Sequence, residues 1–340
     1  MTATGELDRA LGALYGLAIG DALGMPTQLL SRQQITDRWG TRGLTGFEPA
    51  PPGHPVAAGM PAGSVTDDTE QAVLLGQLLV TGHGSVDPRA FATALIDWER
   101  DMAARGSLDL LGPSTKRAIE AVLAGTPPEE AGAHGDTNGA AMRITPVGVA
   151  TPLAGLDRLA GLDHLIDQVQ QASFVTHNTS IALAGAAAVA AAVSAGIDGA
   201  TTAEATDVAY AAAKLAAARG HWVAGADVAA RIAWAADLVQ AAPERAAEFI
   251  YLLVGTSLAT QESVPAAFGV LSAVPDDPWE ACLLAASLGG DCDTIAAMAG
   301  AVTGACHGRA AFPPHAIATI DAHGLRLDDL AESLLAIRHP

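Results

Sequence analysis

Two short acidic motifs have residue types and spacing that suit a metal ion. They are Ser64-Val65-Thr66-Asp67-Asp68-Thr69-Glu70 and Gly289-Gly290-Asp291-Cys292-Asp293-Thr294, and each leads into an apolar stretch. Carboxylate and hydroxyl oxygens concentrated within one turn are the hard ligands that Mg²⁺ prefers, at about 2.0–2.1 Å in octahedral geometry. The two glycines of the second motif also permit positive φ angles or a close approach of the backbone.

Each motif alone has an ordinary structural interpretation. Ser64 or Thr66 is a good N-cap, acidic residues in a first turn suit the helix dipole, and Glu70 suits a capping box. A glycine turn with an acidic cap explains the second motif equally well. Together the motifs favour a metal site, because acidic residues at two helix starts repel one another if those starts converge. One or two metal ions would relieve that repulsion, although the sequence does not show the convergence itself.

Three further segments are candidates for contact with a ligand. In Asn138-Gly139-Ala140-Ala141-Met142-Arg143 the small residues let a ligand lie against the backbone, and Arg143 suits a phosphate or carboxylate. An Asn N-cap with a structural arginine is the alternative, and this segment alone favours it. His177 precedes a helix, where a turn residue is the more common role. Asp21 falls in the last turn of the first helix pattern, where the dipole disfavours an anion, so it indicates a role or a buried partner.

The elements that must position these residues are predicted to be helices. Hydrophobic residues make up 50% of the 340 residues and aromatic residues only 4%. Much of the apolar content is alanine, which has the highest helix propensity, and strict apolar–polar alternation is absent. The helical patterns cover Leu7–Leu23, Glu70–Val80, Pro88–Ala103, Ser114–Ala124, Gly139–Val149, Asp163–Ala172, Thr179–Ala195, Ala203–Ala218, Gly225–Gln240, Pro243–Val254, Ser263–Ser272, Pro278–Ser287, Asp293–His307, Pro314–His323 and Leu327–Ile337.

We therefore expect an all-α fold in a single domain, residues 1–340. The one long irregular segment, Thr41–Val65, is rich in proline and is typical of a lid or a surface excursion. The stretch Ile181–Ile197 is uncharged but mostly alanine, so it predicts a buried core helix rather than a membrane span.

Charge and cysteine usage argue against several classes of protein. A net charge of −19 repels phosphate backbones and anionic lipid, and the longest basic cluster is Lys116-Arg117. We therefore expect no nucleic-acid partner and no membrane partner. Three cysteines without CxxC spacing fit a reducing compartment rather than a disulfide framework or a zinc site. The first ten residues lack the order of a signal peptide, so we expect a cytoplasmic protein, either monomer or oligomer.

The motifs, in their order along the chain, resemble those of the ADP-ribosylglycohydrolase family. The resemblance rests on Gly20-Asp21-Ala22-Leu23-Gly24, Thr66-Asp67-Asp68-Thr69, Asn138-Gly139-Ala140-Ala141-Met142-Arg143, Thr176-His177 and Gly289-Gly290-Asp291-Cys292-Asp293-Thr294. It spans about residues 7–310. The two acidic motifs in this order are highly specific, whereas any one motif alone is weak.

The resemblance implies many helices packed around a central cleft that holds two Mg²⁺ ions, with Mn²⁺ as an alternative. The metal ligands it implies are Thr66, Asp67, Asp68, Asp291, Asp293 and Thr294. The substrate-binding residues it implies are Asn138, Gly139, Met142, Arg143 and His177. The metals would grip the hydroxyls of the distal ribose while water displaces the group at its anomeric carbon. Carboxylates would stabilise the positive charge that develops on the sugar.

The sequence departs from the family pattern at Gln28, where some relatives have a glutamate that serves as an acid/base candidate. Glutamine forms hydrogen bonds but transfers no proton at neutral pH, so that catalytic role is either missing or moved. Asp68 and Asp109 are the candidate substitutes. Cys292 stands where threonine is usual, between the two aspartates, and we expect a minor effect.

Three functions remain open at this point. The first is Mg²⁺-dependent hydrolysis of the bond between ADP-ribose and a protein side chain or a small acceptor. The second is hydrolysis of small ribosides such as nucleosides, which a shortage of basic residues in the cleft would favour. The third is non-catalytic binding of ADP-ribose, which Gln28 supports and the intact set of four aspartates opposes.

Overall fold

The computed structural model describes residues 3–104, 111–153 and 158–339, and these residues form α-helices and no β-strand. The α-helices are α1 (Ala3–Gly24), α2 (Arg32–Trp39), α3 (Asp67–Thr81), α4 (Pro88–Ala104), α5 (Pro113–Leu123), α6 (Pro128–Ala131), α7 (Gly139–Arg143), α8 (Thr145–Ala150), α9 (Arg158–Ser173), α10 (Ser180–Ile197), α11 (Thr202–Ala216), α12 (Val228–Ala241), α13 (Ala246–Phe249), α14 (Thr260–Ala273), α15 (Pro278–Ala286), α16 (Cys292–His307), α17 (Pro314–Asp321) and α18 (Leu327–Arg338). Short 3₁₀-helices span Pro243–Arg245 and Arg309–Ala311, and a π-helical turn spans Ile250–Val254. The predicted all-α class is confirmed.

Several helix predictions were wrong. Helix α6 was not predicted, and the single helix predicted over Pro243–Val254 is a 3₁₀-helix, α13 and a π-helical turn in succession. The pattern over Gly139–Val149 predicts one helix, but the chain forms α7 and α8, which are separated at Ile144 just before Pro146. Helix α2 was not predicted, because Ile35 is its one buried residue and its sequence has no apolar face. A capping box between Ser31 and Gln34 starts α2 instead.

Helices α1 and α16 lie antiparallel at the centre of the fold and touch backbone to backbone. A Cβ atom at Gly16 would stand 2.1 Å from the carbonyl oxygen of Gly300, and one at Gly12 would stand 2.1 Å from that of Gly304. At the other end, a Cβ atom at Gly24 would stand 2.2 Å from the Cα atom of Asp293. The glycines therefore bring the C-terminal end of α1 against the N-terminal end of α16.

Helix α10 is buried along its whole length. Every residue of Ser180–Ile197 is buried, and α10 packs against α7, α8, α9, α11 and α16. It is the one helix among the described residues that is long and apolar enough to cross a membrane. This burial agrees with the expected core helix.

Helix α3 packs against α1, α7, α8, α16 and α18. The start of α3 is bonded to Asp21 and the start of α16 touches Gly24, both near the end of α1. The start of α7 joins them because Asn138 donates to Asp291. The irregular segment 41–65 approaches the same region, where Ala50 and Ala57 form a small apolar cluster with Met25.

Candidate active site

Asp21 ties the end of α1 to the start of α3. Its carboxylate is fully buried and accepts hydrogen bonds from the backbone N–H groups of Thr66 (2.9 Å) and Thr69 (3.2 Å). It also accepts from the hydroxyls of Thr66 (2.7 Å) and Thr69. These bonds satisfy N–H groups that the first turn of a helix leaves without partners. The buried partner that the position of Asp21 indicated is therefore the N-terminus of α3.

The capping interpretation of the first motif is wrong in its details. Helix α3 begins at Asp67, and its N-cap residue, Thr66, makes no side-chain capping bond. Glu70 accepts a hydrogen bond from the indole N–H of Trp98 (2.6 Å), while the Thr66 N–H donates to Asp21. A carboxylate from another helix thus replaces the expected local capping box.

The second motif presents its aspartates from the start of α16. Gly289 and Gly290 have φ angles of 97° and 77°, and a Cβ atom at Gly290 would stand 2.3 Å from the carbonyl oxygen of Thr256. Both properties proposed for these glycines, positive φ and close approach, are present. Asp291 accepts a hydrogen bond from the side-chain amide of Asn138 (2.5 Å). The Thr294 hydroxyl donates to Asp68 (3.2 Å), which joins the two motifs directly.

The convergence of the aspartates changes their pKa values. The pKa of Asp68 is raised well above its ordinary value, mainly by burial. It is raised further by the negative charges of Asp67, Asp21, Asp293 and Asp291. Burial raises the pKa of Asp21 to about 6, although its hydrogen bonds from Thr69 and Thr66 act in the opposite direction. The carboxylates of both motifs therefore lie close enough to repel one another.

A cavity of about 310 Å³ opens at this point. Its lining includes eight of the predicted site residues, namely Gln28, Asp67, Asn138, Gly139, Met142, Asp291, Asp293 and Thr294. Thr66 and Asp68 are buried beside it and bonded to Asp21 and Thr294, respectively. Another cavity, of about 390 Å³, lies between α11, α12 and α14 and contains none of the predicted residues. The chemistry of the side chains therefore assigns the site to the first cavity.

Comparison with known proteins agrees with this geometry. The sequence model of the ADP-ribosylglycohydrolase family matches residues 2–340. The chain belongs to the ADP-ribosylglycohydrolase family. Membership makes it a glycosidase-type hydrolase, and the reaction of the family is cleavage of the glycosidic bond of ADP-ribose.

Individual relatives support the assignment to varying extents. The chain is 37% identical to the uncharacterized protein YegU of Escherichia coli K12, over 93% of each chain. It is 32% identical to the ADP-ribosyl-[dinitrogen reductase] glycohydrolase of Rhodospirillum rubrum, over 44% of this chain and 47% of that protein. A solved structure named as an ADP-ribosylglycohydrolase-related protein complex aligns with a TM-score of 0.70 at 26% identity, over 98% of this chain and 99% of that one.

The donor set of this ADP-ribosylglycohydrolase fits a divalent cation. Its members are hard oxygens, and Oδ1 of Asp68 is buried with no hydrogen-bond partner among the described residues. In the part of the chain that the structure describes, no three His, Cys, Asp or Glu side chains stand as a formed metal site. Protein donors occupy some of the carboxylates instead, since Asn138 donates to Asp291 and Gln71 donates to Asp67. A cation would have to displace or share these bonds.

Besides Thr66 and Asp68, two predicted site residues among the described residues do not line the cavity. Arg143 and His177 are 1% and 0% exposed and lie behind the cavity wall. Arg143 donates to Gln71 (2.8 Å) and Thr176 (2.6 Å). Asp109 lies outside the described residues. The contact of Arg143 and His177 with ADP-ribose stays a prediction, and the structure shows them bonded to protein groups.

Gln28 lies at the cavity, as its position in the family motif implies. Its side chain is 5% exposed, and Nε2 has no hydrogen-bond partner among the described residues. Nδ1 of His54 accepts from the backbone N–H groups of Val56 (3.3 Å) and Ala57 (2.9 Å), so the ring proton is on Nε2. Nε2 of His54 therefore donates to the backbone carbonyl oxygen of Gln28 (2.9 Å). His54 thereby fastens the proline-rich segment to the site.

Sequence reasoning missed His54, Thr69, Gln71 and Thr137. Gln71 follows Asp67 by four positions on one helix, so its spacing gave a usable signal. The other three become visible only when the chain is folded, since their partners are Gln28, Asp21 and His177.

Proposed function

We propose that this chain is a Mg²⁺-dependent hydrolase that releases ADP-ribose from a protein side chain, and that this side chain is arginine. The convergence of Asp67, Asp68, Asp291 and Asp293 at one cavity carries the proposal. The name of the Rhodospirillum rubrum relative, ADP-ribosyl-[dinitrogen reductase] glycohydrolase, supports a protein acceptor.

Six residues at the starts of α3 and α16 would hold the metal, with two Mg²⁺ ions expected and Mn²⁺ as an alternative. They are Thr66, Asp67, Asp68, Asp291, Asp293 and Thr294. Metal ions bound there would fix the hydroxyls of the ribose and lower the pKa of a bound water.

The chain's own groups perform the rest of the reaction. Carboxylates near the anomeric carbon stabilise the positive charge that the sugar develops as its bond breaks. Asn138 holds Asp291 in place, since its amide donates to Asp291 and to Ser263 (3.0 Å). Gly139 exposes its backbone to the cavity, and the His177 ring fills the space behind it, because a Cβ atom at Gly139 would stand 2.8 Å from Cε1 of His177. The missing side chain at Gly139 therefore makes room for His177 behind the cavity wall.

Gln28 supports arginine as the linked residue. An arginine-linked ADP-ribose carries a protonated guanidinium at neutral pH. When water attacks the anomeric carbon and the C–N bond breaks, the guanidine leaves neutral and then takes the proton that the attacking water loses. A serine-linked ADP-ribose leaves as an alkoxide, which needs a proton donor in the transition state. Gln28 supplies none, and the nitrogen-linked substrate needs none from this position.

A specific observation favours hydrolysis of small ribosides as a second candidate. No lysine or arginine occurs among the described residues that line the cavity, whereas three aspartates do. The two phosphates of ADP-ribose therefore meet no cationic side chain from that lining. An uncharged nucleoside would not be repelled by the three aspartates of the lining.

The test is release of ADP-ribose from an arginine-linked ADP-ribosylated protein, with Mg²⁺ and with EDTA. Serine-linked protein and a nucleoside panel run in parallel. Magnesium-dependent release from the arginine-linked protein supports the proposal, and release of ribose from nucleosides alone supports the second candidate. Turnover that persists in EDTA, after dialysis against the chelator, argues against the metal.

A variant separates the metal site from the fold. Asp293→Ala should abolish turnover and leave the helical content of the circular dichroism spectrum near wild type. Asp207→Ala, which changes an exposed aspartate on α11, is the matched control. Retained turnover in Asp293→Ala would remove the basis for the metal assignment.

We also propose that the enzyme works in the cytoplasm. The three cysteines, Cys282, Cys292 and Cys306, are buried free thiols, which fits a reducing compartment. Cell fractionation with an antibody against the native chain tests this location.

A further inference from the structure

A series of hydrogen bonds begins at Asp67 and runs behind the cavity wall. Nε2 of Gln71 donates to Oδ2 of Asp67 (3.1 Å), and Nη1 of Arg143 donates to Oε1 of Gln71 (2.8 Å). Both ends of the Gln71 amide are therefore used, which fixes its orientation. Because Gln71 is one turn along α3 from Asp67, the two side chains lie on the same face of the helix.

The series continues from Arg143 back to the cavity at Thr137. Nη2 of Arg143 donates to the hydroxyl of Thr176 (2.6 Å), and this hydroxyl is 2.8 Å from Nδ1 of His177. Nε2 of His177 is 3.0 Å from the hydroxyl of Thr137. Asp67 and Thr137, at the two ends, both line the cavity. Gln71, Arg143, Thr176 and His177, between them, are buried and do not.

The burial of Arg143 needs a reason. Its guanidinium is 1% exposed, lies 5.1 Å from the centre of the Phe91 ring, and has no carboxylate as a hydrogen-bond partner in the bonds described. Burying a cation this deeply is costly unless its hydrogen bonds are well placed. Burial lowers its pKa to about 10, with the charge of Asp67 acting in the opposite direction, so it stays charged at neutral pH. Both of its hydrogen-bond partners are neutral side chains next to the site, and its buried Nε has no partner among the described residues. Orienting these partners is a role that would account for its burial.

We propose that Arg143 is a positioning residue that holds the carboxylate of Asp67 through Gln71, and that Thr176 and His177 fix Arg143 from the other side. This inference rests on the proposed function, since Asp67 is a proposed metal ligand. The planar guanidinium presents its N–H groups at fixed angles, so Gln71 and Thr176 are held at a fixed separation. Outer partners of this kind typically change metal affinity or activity by roughly 10- to 100-fold when they are removed.

The experiment measures Mn²⁺ affinity of the purified full-length chain by calorimetry and by electron paramagnetic resonance. Gln71→Met removes the donor to Asp67 at nearly constant volume, and we expect roughly 10-fold weaker binding. Thr176→Val removes a hydroxyl that is two side chains away from Asp67, and we expect weaker binding there too, with recovery in Thr176→Ser. Thr303→Val, which removes a buried hydroxyl with no hydrogen-bond partner among the described residues, should bind Mn²⁺ like the wild type.

The double variant Gln71→Met/Thr176→Val separates positioning from general loosening of the fold. If Thr176 acts through Gln71, the double variant binds no more weakly than Gln71→Met alone; independent structural effects would add. Thr176→Ala replaces Thr176→Val if circular dichroism shows that the valine variant does not fold. Wild-type affinity in Gln71→Met and in the Thr176 variant, or additive losses, would overturn this inference alone. Absence of Mn²⁺ uptake by the wild type would overturn it together with the proposed metal site.

Discussion

Asp68 is buried among four other aspartates, so without a metal its ionised form lowers the stability of the folded chain. Burial and the charges of Asp67, Asp21, Asp293 and Asp291 all favour its protonated form. A carboxyl group whose pKa is raised in the folded chain holds its proton more tightly there than in the unfolded chain. Its contribution to stability is therefore complete below the unfolded pKa and is lost as pH rises through the folded pKa.

The first prediction concerns the pH dependence of stability without metal. In EDTA, the free energy of unfolding should fall as pH rises from about 4 to about 6, which is the raised pKa of Asp21. The Asp21 shift alone corresponds to roughly 3 kcal/mol. Asp68→Asn removes one buried carboxylate, so its free energy of unfolding should decrease less steeply with pH than that of the wild type. Mg²⁺ should reduce the decrease in the wild type. Urea unfolding between pH 4 and 7 measures this. Parallel curves for wild type and Asp68→Asn would contradict the prediction, and Asp207→Asn is the exposed control.

The second prediction concerns Gln28→Glu. A glutamate at this position adds a group that can transfer a proton, and general acid–base catalysis typically contributes roughly 10²- to 10⁴-fold. We expect kcat for serine-linked ADP-ribose to rise much more than kcat for the arginine-linked substrate, because the alkoxide is the leaving group that needs a proton. Gln28→Met, which offers no proton either, should show no such gain. Equal changes on both substrates would mean that proton transfer does not decide the choice of leaving group.

At the scale of the helices, the α1–α16 contact places Asp21, which is bonded to the first acidic motif, close to the second motif. The third prediction is that Gly16→Ala lowers the free energy of unfolding by about 1–3 kcal/mol or more, since its Cβ atom would stand 2.1 Å from a carbonyl oxygen of α16. Gly46→Ala is the control, because nothing lies within 4 Å of a Cβ atom there. Urea unfolding of both variants measures the difference. Equal stability would show that the two helices separate without cost.

The fourth prediction concerns the segment 41–65, which is held by the hydrogen bond from His54 to the backbone carbonyl oxygen of Gln28. The ring can do this only when it is neutral, because Nδ1 accepts two N–H groups while Nε2 donates. Burial lowers the pKa of His54 below its ordinary value of 6.5, so its contribution is complete above about pH 6.5 and is lost as pH falls through the lowered pKa. Amide hydrogen exchange of residues 50–60, corrected for intrinsic pH effects, should accelerate at low pH. In His54→Leu the exchange of these amides should be fast at every pH. Wild-type exchange that does not depend on pH would argue against a role for the hydrogen bond between His54 and Gln28.

The same elements show how far the sequence alone could lead. The apolar periodicity over Asp293–His307 and Thr179–Ala195 predicted α16 and α10, because long buried helices repeat a clear pattern. The break between α7 and α8 depends on the few residues around Ile144, and the pattern continues across it. The cap on α3 comes from Asp21, a residue far away in the chain, so no local rule could have identified it.

At the scale of the whole molecule, the site forms because the end of α1 and the starts of α3 and α16, which are distant in sequence, meet at one cavity. The acidic motifs and Gln28 were visible in the sequence, but their convergence depends on the close contact at Gly12, Gly16 and Gly24. The roles of Arg143 and His177 also depended on the fold, since both residue types suit a phosphate equally well. Composition predicted the helical class and gives a net charge of −19. It does not show how so acidic a protein binds an anionic substrate.

The fifth prediction follows from that charge. A chain of net charge −19, whose described cavity lining has no lysine or arginine, repels the two phosphates of ADP-ribose. Repulsion reaches about 30 Å at 0.01 M salt and about 8 Å at 0.15 M. At saturating Mg²⁺, KM for ADP-ribosyl-arginine should therefore fall several-fold as NaCl rises across this range, while kcat stays constant. KM for an uncharged nucleoside, if it is turned over, should not change. A KM for ADP-ribosyl-arginine that rises with salt would instead require an attracting cation at the phosphates, and this would remove the observation that favours the riboside candidate.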